Sequence, residues 1–346
     1  MKLDYQVIEV HPKHPFTISR GTSTVYRRVI VQLTHEGVSA LGEAAPSPYY
    51  GETADTVVAA LELFRPLLGA DPFNRQAIMG RLGQALGGNN AAKAAINLAL
   101  WDLAGKLLGE PLYRLLGLDA AATPRTSLTI ALDQPAAMAE RAQAAYALGF
   151  SLIKVKLGTG HDRDIVTAIR EAVPQATLRV DANAAWTPSQ ALHYLGWLAE
   201  LGVELVEQPL PAADIEGLRR VTSASPLPIV ADESAPNLAS LRQLKGAVSG
   251  VNIKLMKCGG IDAALEMIHA ARALGMLVML GCMVETSVAI AAGAHLSPLV
   301  DYADLDGSLL LADDPFQGPT FPKGRITLVD DPGLGVQPSS VRSQAA

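Results

Sequence analysis

Hydrophobic and polar positions along the chain follow first a strand period and then a helix period. In residues 1–50 they alternate, and the segment RRVIVQLTHEGVSALGE alternates on both sides of a turn at residues 35–37, which predicts a β-hairpin. From Thr53 to about Leu116 the period is helical, and residues 91–108 combine strong helix formers with a preceding Gly-Gly-Asn-Asn start signal. This part of the chain is therefore predicted to be an α+β unit.

A third pattern begins near Arg125, where short apolar runs recur and each is followed by a helical stretch. The ends of successive runs lie 22 to 27 residues apart, and repeated βα units of this length predict a parallel sheet. Eight candidate strands favour closure into a (β/α)7β TIM-like barrel. The predicted fold is α/β, with the barrel at residues 121–315 and an α+β capping domain at residues 1–120 that has contributions from 316–346. The runs are SLTIAL, SLIKVK, TLRVD, ELVEQ, PIVAD, VNIK, LVMLG and DYADLD.

Composition and charge narrow the functional class. Of the 346 residues 49% are hydrophobic and 18% charged, which is typical of a protein with a large buried core. A net charge of −6 disfavours a nucleic-acid binder. The segment MKLDYQVIEV lacks the apolar core of a signal peptide, and the apolar runs are shorter than the roughly 18 residues of a membrane helix. With two cysteines and no CxxC motif, we expect a soluble cytoplasmic protein without nucleic-acid or membrane partners.

Charged residues stand at the ends of six of the predicted barrel strands. In a β/α barrel the active site lies at these C-terminal strand ends. A single strand that stops at a charged residue is ordinary in any soluble protein. Six such charges around one barrel mouth are costly to bury unless they pair with one another or bind an ion, so the set predicts a functional site.

Asp181, Glu207 and Asp232 end three consecutive strands, so their side chains could converge from one side of the mouth. Three oxygen ligands without histidine or cysteine suit a hard cation, and Mg²⁺ binds through a few carboxylates while keeping room for water and substrate. The alternative is a structural cluster paired with lysines. Against it, three carboxylates without a metal would repel one another.

Lys154 and Lys156 are two positions apart on one strand, so both side chains share a face and point into the mouth. Two ammonium groups this close, beside a dication, are expected to lower each other's pKa, which makes a useful general base. Lys254 ends the strand four positions further around the barrel, on the opposite side. The sequence thus predicts opposed acid/base lysines; the alternative is that Lys254 only pairs with Asp232.

Asp304 and Asp306 in DYADLDG also lie on one face of the last strand. A pair of carboxylates there could hold a substrate ammonium group. The alternative is a turn stabilised by aspartate, because Asp-Gly is a common turn pair.

With these strand-end residues, the chain resembles the enolase superfamily, muconate-lactonising subgroup. Within that subgroup it resembles the dipeptide epimerases, especially the L-Ala-D/L-Glu epimerases. The resemblance spans nearly the whole chain, and the Asp304-x-Asp306 pair is its most specific mark of dipeptide epimerases. The matching stretches are PFTISRG, GEAAPSPYYGET, ALWDLAGK, KVKLG, VDAN, VEQPLP, ADES, VNIKLMKCGG, LGCMVETS and ADLDG.

The resemblance implies roles for these positions. Lys156 would be the base for the (R)-epimer and Lys254 the base for the (S)-epimer, while Lys154 would help to bind the substrate carboxylate. Arg20 would lie on a mobile loop and pair with the side-chain carboxylate of glutamate, and a second loop at residues 47–52 would close over the site. The implied Mg²⁺ ligands are Asp181, Glu207 and Asp232. The implied substrate-binding residues are Arg20, Thr129, Lys154, Met283, Asp304 and Asp306, with residues 282–284 lining the pocket.

The reaction that the resemblance implies is a 1,1-proton transfer, through an ene-diolate, at the C-terminal residue of a dipeptide. An o-succinylbenzoate synthase, a cycloisomerase or an N-acylamino acid racemase would use the same lysines, but their substrates lack the ammonium group that an aspartate pair would hold. Acid-sugar dehydratases usually have a histidine on the seventh strand, and LVMLGCMVET has none. A non-catalytic binding protein would be expected to have lost some of these groups. The dipeptide and a homo-oligomeric state are left open.

Overall fold

The computed structural model describes residues 1–339. At the N-terminus, β1 pairs with β4, and β4 pairs with β5, all antiparallel. The β4–β5 turn has positive φ at both Glu36 (49°) and Gly37 (82°), the backbone that a two-residue hairpin needs, so the predicted hairpin is confirmed. A smaller hairpin, β2–β3, precedes β4. The strands are β1 Lys2–Val10, β2 Phe16–Ile18, β3 Gly21–Ser23, β4 Tyr26–His35 and β5 Val38–Ala44.

Helices cover one face of this sheet. The alanine-rich helix α3 lies so close to β5 that a Cβ at Gly42 would be 1.9 Å from the carbonyl oxygen of Ala95, so only glycine fits there. We call residues 1–120 the cap. Its helices are α1 Ala54–Phe64, α2 Arg75–Ala85, α3 Asn90–Leu108 and α4 Leu112–Leu115, and a short 3₁₀ helix spans Pro48–Tyr50.

In the described part of the chain, eight parallel strands follow one another around a sheet in chain order. The first and last strands meet at a bridge between Thr126 and Ala303, which nearly closes the barrel and confirms the predicted fold. We call residues 121–315 the barrel. Its strands are β6 Leu128–Ile130, β7 Leu152–Lys156, β8 Thr177–Asp181, β9 Val203–Glu207, β10 Ile229–Ala231, β11 Gly250–Lys254, β12 Leu277–Gly281 and β13 Tyr302–Asp304.

Helices alternate with these strands and cover the outside of the barrel. Apolar residues of the strands that face outward, such as Ile153 and Val155, are buried against them. Among residues 1–339, none of the helices is both long and apolar enough to cross a membrane. The barrel helices are α5 Pro135–Ala147, α6 Asp162–Ala172, α7 Pro188–Glu200, α8 Ile215–Ala224, α9 Leu241–Leu244, α10 Leu255–Cys258, α11 Ile261–Ala273 and α12 Ser287–Leu296.

The chain after the barrel returns to the cap. The backbone N–H of Leu334 donates to the Asp102 carboxylate of α3 at 2.8 Å, and that of Leu112 donates to the Gly333 carbonyl at 2.9 Å. Short strands β14 Phe316–Gln317 and β15 Gln337–Pro338 pair along the way. The predicted domain limits stay a prediction. Residues 316–346 are predicted to contribute to the cap, and the last of them, 340–346, lie outside the described residues.

Candidate active site

The C-terminal ends of the barrel strands and the inner face of the cap enclose a cavity of about 670 Å³. Asp181 and Glu207 are buried at the ends of β8 and β9, where both contact the cavity residue Lys154. The remaining predicted site residues line the cavity itself. These are Arg20, Thr129, Lys154, Lys156, Asp232, Lys254, Met283, Asp304 and Asp306.

The three predicted metal ligands converge as expected. One carboxylate oxygen from each of Asp181, Glu207 and Asp232 lies within 4.8 Å of the others, and all three residues are buried. The donors are all oxygen atoms, as Mg²⁺ prefers. Neighbouring side chains orient two of them: Asn252 Nδ2 donates to Glu207 Oε1 at 2.8 Å, and Lys257 Nζ donates to Asp232 Oδ1 at 2.5 Å. The residues present therefore fit a Mg²⁺ ion.

Lys154 is surrounded by carboxylates. Its Nζ lies 2.7 Å from Glu207, 2.7 Å from Asp304 and 3.1 Å from Asp181. Burial alone would lower the pKa of Lys154, but these carboxylates raise it well above its usual range. The expectation that the two lysines lower each other's pKa concerned a site that also holds a dication, so it stays a prediction for the metal-bound protein.

Lys156 and Lys254 reach the cavity from β7 and β11, which are four strands apart on an eight-stranded barrel. Lys156 Nζ lies 2.6 Å from Asp181 Oδ2, and Lys254 Nζ lies 2.9 Å from Asp232 Oδ2. The ion pair that was the alternative interpretation of Lys254 is therefore present. It coexists with a position opposite Lys156 at the cavity wall.

Asp304 and Asp306 both line the cavity, and each accepts a hydrogen bond from a residue of the first barrel strand or directly before it. Ser127 Oγ donates to Asp304 Oδ1 at 2.6 Å, and the backbone N–H of Thr129 donates to Asp306 Oδ2 at 2.6 Å. Asp306 precedes a 3₁₀ turn, but its side chain makes no capping bond there, which argues against the turn-stabilising alternative. Burial and the adjacent Asp304 raise the pKa of Asp306 to about 6.

Arg20 carries the β2–β3 loop onto the barrel mouth. Its Nη1 donates to Glu233 Oε1 at 2.7 Å and to the Asn183 carbonyl at 2.8 Å. The ring of Tyr49, from the predicted second loop at residues 47–52, lies 4.5 Å from the guanidinium carbon. Both loops thus meet over the site, while contact between Arg20 and a substrate carboxylate stays a prediction.

Sequence analysis missed several residues that hold the site together. Lys257 was visible as the second lysine of KLMKCGG, but only the short helix α10 after β11 turns it back toward Asp232. Glu233 follows a strand-end aspartate and binds Arg20 of the cap, a contact between residues 213 positions apart. Asn183 and Asn252 are uncharged and carried no signal in a search for charged strand ends.

Family profiles match most of the chain. The profile described as enolase C-terminal domain-like matches residues 137–341, and that of the mandelate racemase / muconate lactonizing enzyme N-terminal domain matches residues 2–117. An L-Ala-D/L-Glu epimerase of Bacteroides thetaiotaomicron is 42% identical over 337 residues, which cover 97% of this chain and 88% of that protein.

Solved structures are similar over nearly the whole chain. A dipeptide epimerase from Enterococcus faecalis V583, complexed with Mg and the dipeptide L-Leu-L-Tyr, has a TM-score of 0.93 and 38% identity, covering 97% of this chain and 99% of that one. A substrate-liganded L-Ala-D/L-Glu epimerase from Bacillus subtilis has a TM-score of 0.94 and 33% identity, covering 99% and 100%. The names of these relatives agree on dipeptide epimerisation and differ in the dipeptide.

Proposed function

The chain belongs to the mandelate racemase and muconate lactonizing enzyme family, and from that premise we propose that it is a magnesium-dependent dipeptide epimerase. It is an isomerase that moves a proton at the α-carbon of the C-terminal residue. One observation carries the proposal: Lys156 and Lys254 line one cavity from opposite strands, together with a cluster of three carboxylates and the pair Asp304 and Asp306.

The lysines carry the proton. Lys156 takes the α-proton of the (R)-epimer, and the electron pair of the C–H bond moves into the carboxylate to give an ene-diolate. Lys254 then gives a proton to the opposite face, and the roles reverse for the (S)-epimer. The Lys154 ammonium helps to bind the substrate carboxylate and so opposes its growing negative charge. When bound by Asp181, Glu207 and Asp232, Mg²⁺ supplies further positive charge at that carboxylate.

The rest of the cavity holds the dipeptide. The Asp304 and Asp306 carboxylates bind the free ammonium group of the dipeptide. Thr129 and Met283 contact the dipeptide between this ammonium group and the carboxylate at its other end. The cap loops exclude water, which strengthens each electrostatic contact. Arg20 favours an acidic second residue, so L-Ala-D/L-Glu is the substrate we propose.

The setting of the reaction follows from this substrate. An Ala-Glu dipeptide is a fragment of cell-wall peptide, so we place the enzyme in its recycling in the cytoplasm. That nucleic acid is not a partner stays a prediction, and the homo-oligomeric state stays open.

Deuterium uptake tests the proposal. The Mg²⁺-loaded protein is incubated in D₂O with L-Ala-L-Xaa dipeptides, and mass spectrometry follows exchange at the α-carbon of the second residue. Exchange with dipeptides and its loss on chelation of the metal are expected. If N-acylated amino acids exchange and free dipeptides do not, the protein is another lysine-pair enzyme of the family, and if neither exchanges, the proposal is wrong.

A further inference from the structure

Arg28 is a buried cation at the wall of the same cavity. It lies on β4 between Tyr26 and Ile30, on the face of the cap sheet that packs against Val284 of the barrel. The alternate residues Val29 and Val31 face the cap helices instead. Arg28 is only 3% exposed and lines the cavity.

The guanidinium of Arg28 donates its hydrogen bonds to carbonyl groups. Nε donates to the Val284 carbonyl at 2.8 Å and Nη1 to the Arg27 carbonyl at 3.1 Å. Among residues 1–339, no carboxylate oxygen lies within 4.0 Å of its nitrogen atoms, and Nη2 has no hydrogen-bond partner and keeps some accessible surface. The other arginines at the cavity are paired, Arg20 with Glu233 at 2.7 Å and Arg27 with Asp55 at 3.1 Å.

The carboxyl groups that act on Arg28 compensate its positive charge only in part. Glu43 and Glu285 act on Arg28 electrostatically, but burial raises the pKa of Glu43 to about 7 and that of Glu285 to about 8. At neutral pH a large fraction of both carboxyls is therefore protonated. Burial lowers the pKa of Arg28, yet a guanidinium keeps its proton in proteins. A buried cation without an anion is costly, which favours an anionic ligand.

We propose that Arg28 binds the side-chain carboxylate of an acidic dipeptide through Nη2 and so supplies most of the charge selectivity of the enzyme. This inference rests on the proposed dipeptide epimerase function and adds a residue to it. Arg20 approaches the same substrate with its charge already offset by Glu233. Arg28 has no carboxylate partner among the described residues: the guanidinium carbon lies 4.7 Å from the centre of the Tyr26 ring, which offsets its charge only in part.

The test compares substrates as well as variants. Wild-type kcat/KM is expected to be about 10- to 100-fold higher for L-Ala-L-Glu than for the isosteric L-Ala-L-Gln, since a hydrogen bond to a charged group is lost. Arg28→Met, which keeps the apolar stem, is expected to remove most of that preference, mainly through KM, and to leave L-Ala-L-Leu turnover within a few-fold. Arg28→Lys keeps the charge and is expected to retain part of the preference.

Arg114→Met is the matched control, because Arg114 is a cap arginine with an exposed side chain, paired with Glu110, that does not line the cavity. Its Glu-to-Gln ratio is expected to match the wild type. Equal losses of Glu and Leu dipeptides in Arg28→Met would mean that Arg28 only positions Val284, and would overturn the inference. A wild type that exchanges Gln as well as Glu would overturn it without any variant. A wild type that exchanges neither these nor other dipeptides would instead refute the proposed function.

Discussion

The barrel rim and the inner face of the cap both border the cavity, but they are built differently. Rim charges stand at strand ends and contact one another, as Lys154 contacts Asp181, Glu207 and Asp304. The cap contributes loops, a 3₁₀ turn and one strand face. Arg20 and Arg28 of the cap donate hydrogen bonds to backbone carbonyl groups, and of the two only Arg20 also contacts a carboxylate within the part of the chain that the structure describes. The rim consists of Lys154, Lys156, Asp181, Glu207, Asp232, Lys254 and Asp304.

This difference suits the rim to proton transfer and the cap to the selection of the dipeptide. A network of mutual ion pairs on regular strands holds the proposed acid/base groups and metal ligands in fixed positions, which proton transfer requires. Loops and a packed sheet face can change without disturbing that network. We therefore expect rim substitutions to affect all dipeptides alike and cap substitutions to affect some dipeptides more than others.

The largest effect is expected at the rim, from Lys156→Ala and Lys254→Ala. Each should lower epimerisation by about 10³-fold, roughly 4 kcal/mol in the barrier, because both faces of the α-carbon need a proton carrier. Deuterium uptake should persist from one epimer only, through the remaining lysine, and mass spectrometry of each epimer in D₂O measures it.

Lys245→Ala, at an exposed lysine, is the control for these variants and should be unchanged. If Lys156→Ala and Lys254→Ala both keep wild-type epimerisation rates, the division between rim chemistry and cap selectivity fails at its first step.

The next largest effect is expected where the barrel meets the cap, at Glu285 of the barrel and Glu43 of the cap; we call this contact the seam. Burial and the neighbouring Glu43 raise the pKa of Glu285 to about 8, above its usual value of 4.5. A carboxyl with a raised folded-state pKa stabilises the protein fully below pH 4.5, and this contribution is lost as the pH rises toward 8. The free energy of unfolding should therefore fall between pH 5 and 8 by about 3 kcal/mol more in the wild type than in Glu285→Gln.

Denaturant unfolding at both pH values measures the difference. The backbone N–H of Met283 donates to Glu285 Oε1 at 2.9 Å, and the amide oxygen introduced by Glu285→Gln can accept the same bond, so the local contact is conserved. Parallel pH profiles for the two proteins would show that Glu285 is already ionised and that the seam is not a titrating element.

A smaller effect is expected from the support beneath the metal ligands. Lys257 Nζ donates to the Asp232 carboxylate at 2.5 Å, to its carbonyl at 2.6 Å and to the Asn252 carbonyl at 2.9 Å. Lys257→Met should weaken Mg²⁺ binding by about 10-fold or more, with the same factor for every dipeptide. Titration calorimetry with Mg²⁺ measures the affinity apart from turnover, and Lys245→Met is the matched control.

A loss in Lys257→Met that differed between acidic and apolar dipeptides would contradict the comparison, since selectivity would then reach into the rim. Unchanged Mg²⁺ affinity would show that Asp232 is oriented sufficiently by Lys254, 2.9 Å away.

The sequence was informative about the rim and much less so about the cap. Strand periodicity and barrel topology place strand-end charges such as Asp181 and Lys254 at one mouth, because the ends of parallel strands must meet there. Arg28 gave no such signal: it sits within a strand that reads as structural, and only docking of the cap brings it to the cavity. Contacts such as Arg20 with Glu233 depend on how two units pack, which local sequence does not encode.

The smallest effect is expected at Arg20, for which the resemblance and the structure indicate different strengths of substrate selection. Resemblance alone implies that Arg20 selects an acidic side chain. The structure pairs its Nη1 with buried Glu233 at 2.7 Å, so part of its charge is already offset. Its side chain is 35% exposed, which further weakens any ion pair it makes. Arg20 therefore contributes to selectivity, but less than a buried cation without a carboxylate partner.

Arg20→Ala should lower kcat/KM for L-Ala-L-Glu about 5-fold more than for L-Ala-L-Ala, on the order of 1 kcal/mol. Steady-state kinetics with both dipeptides measures the ratio, and Arg114→Ala, at an exposed cap arginine outside the cavity, serves as the control. Equal losses with both dipeptides would mean that Arg20 only fastens the β2–β3 loop to Glu233 and Asn183. A selective loss on the order of 100-fold would make Arg20 the principal anion site of the cap and reverse its order with Arg28.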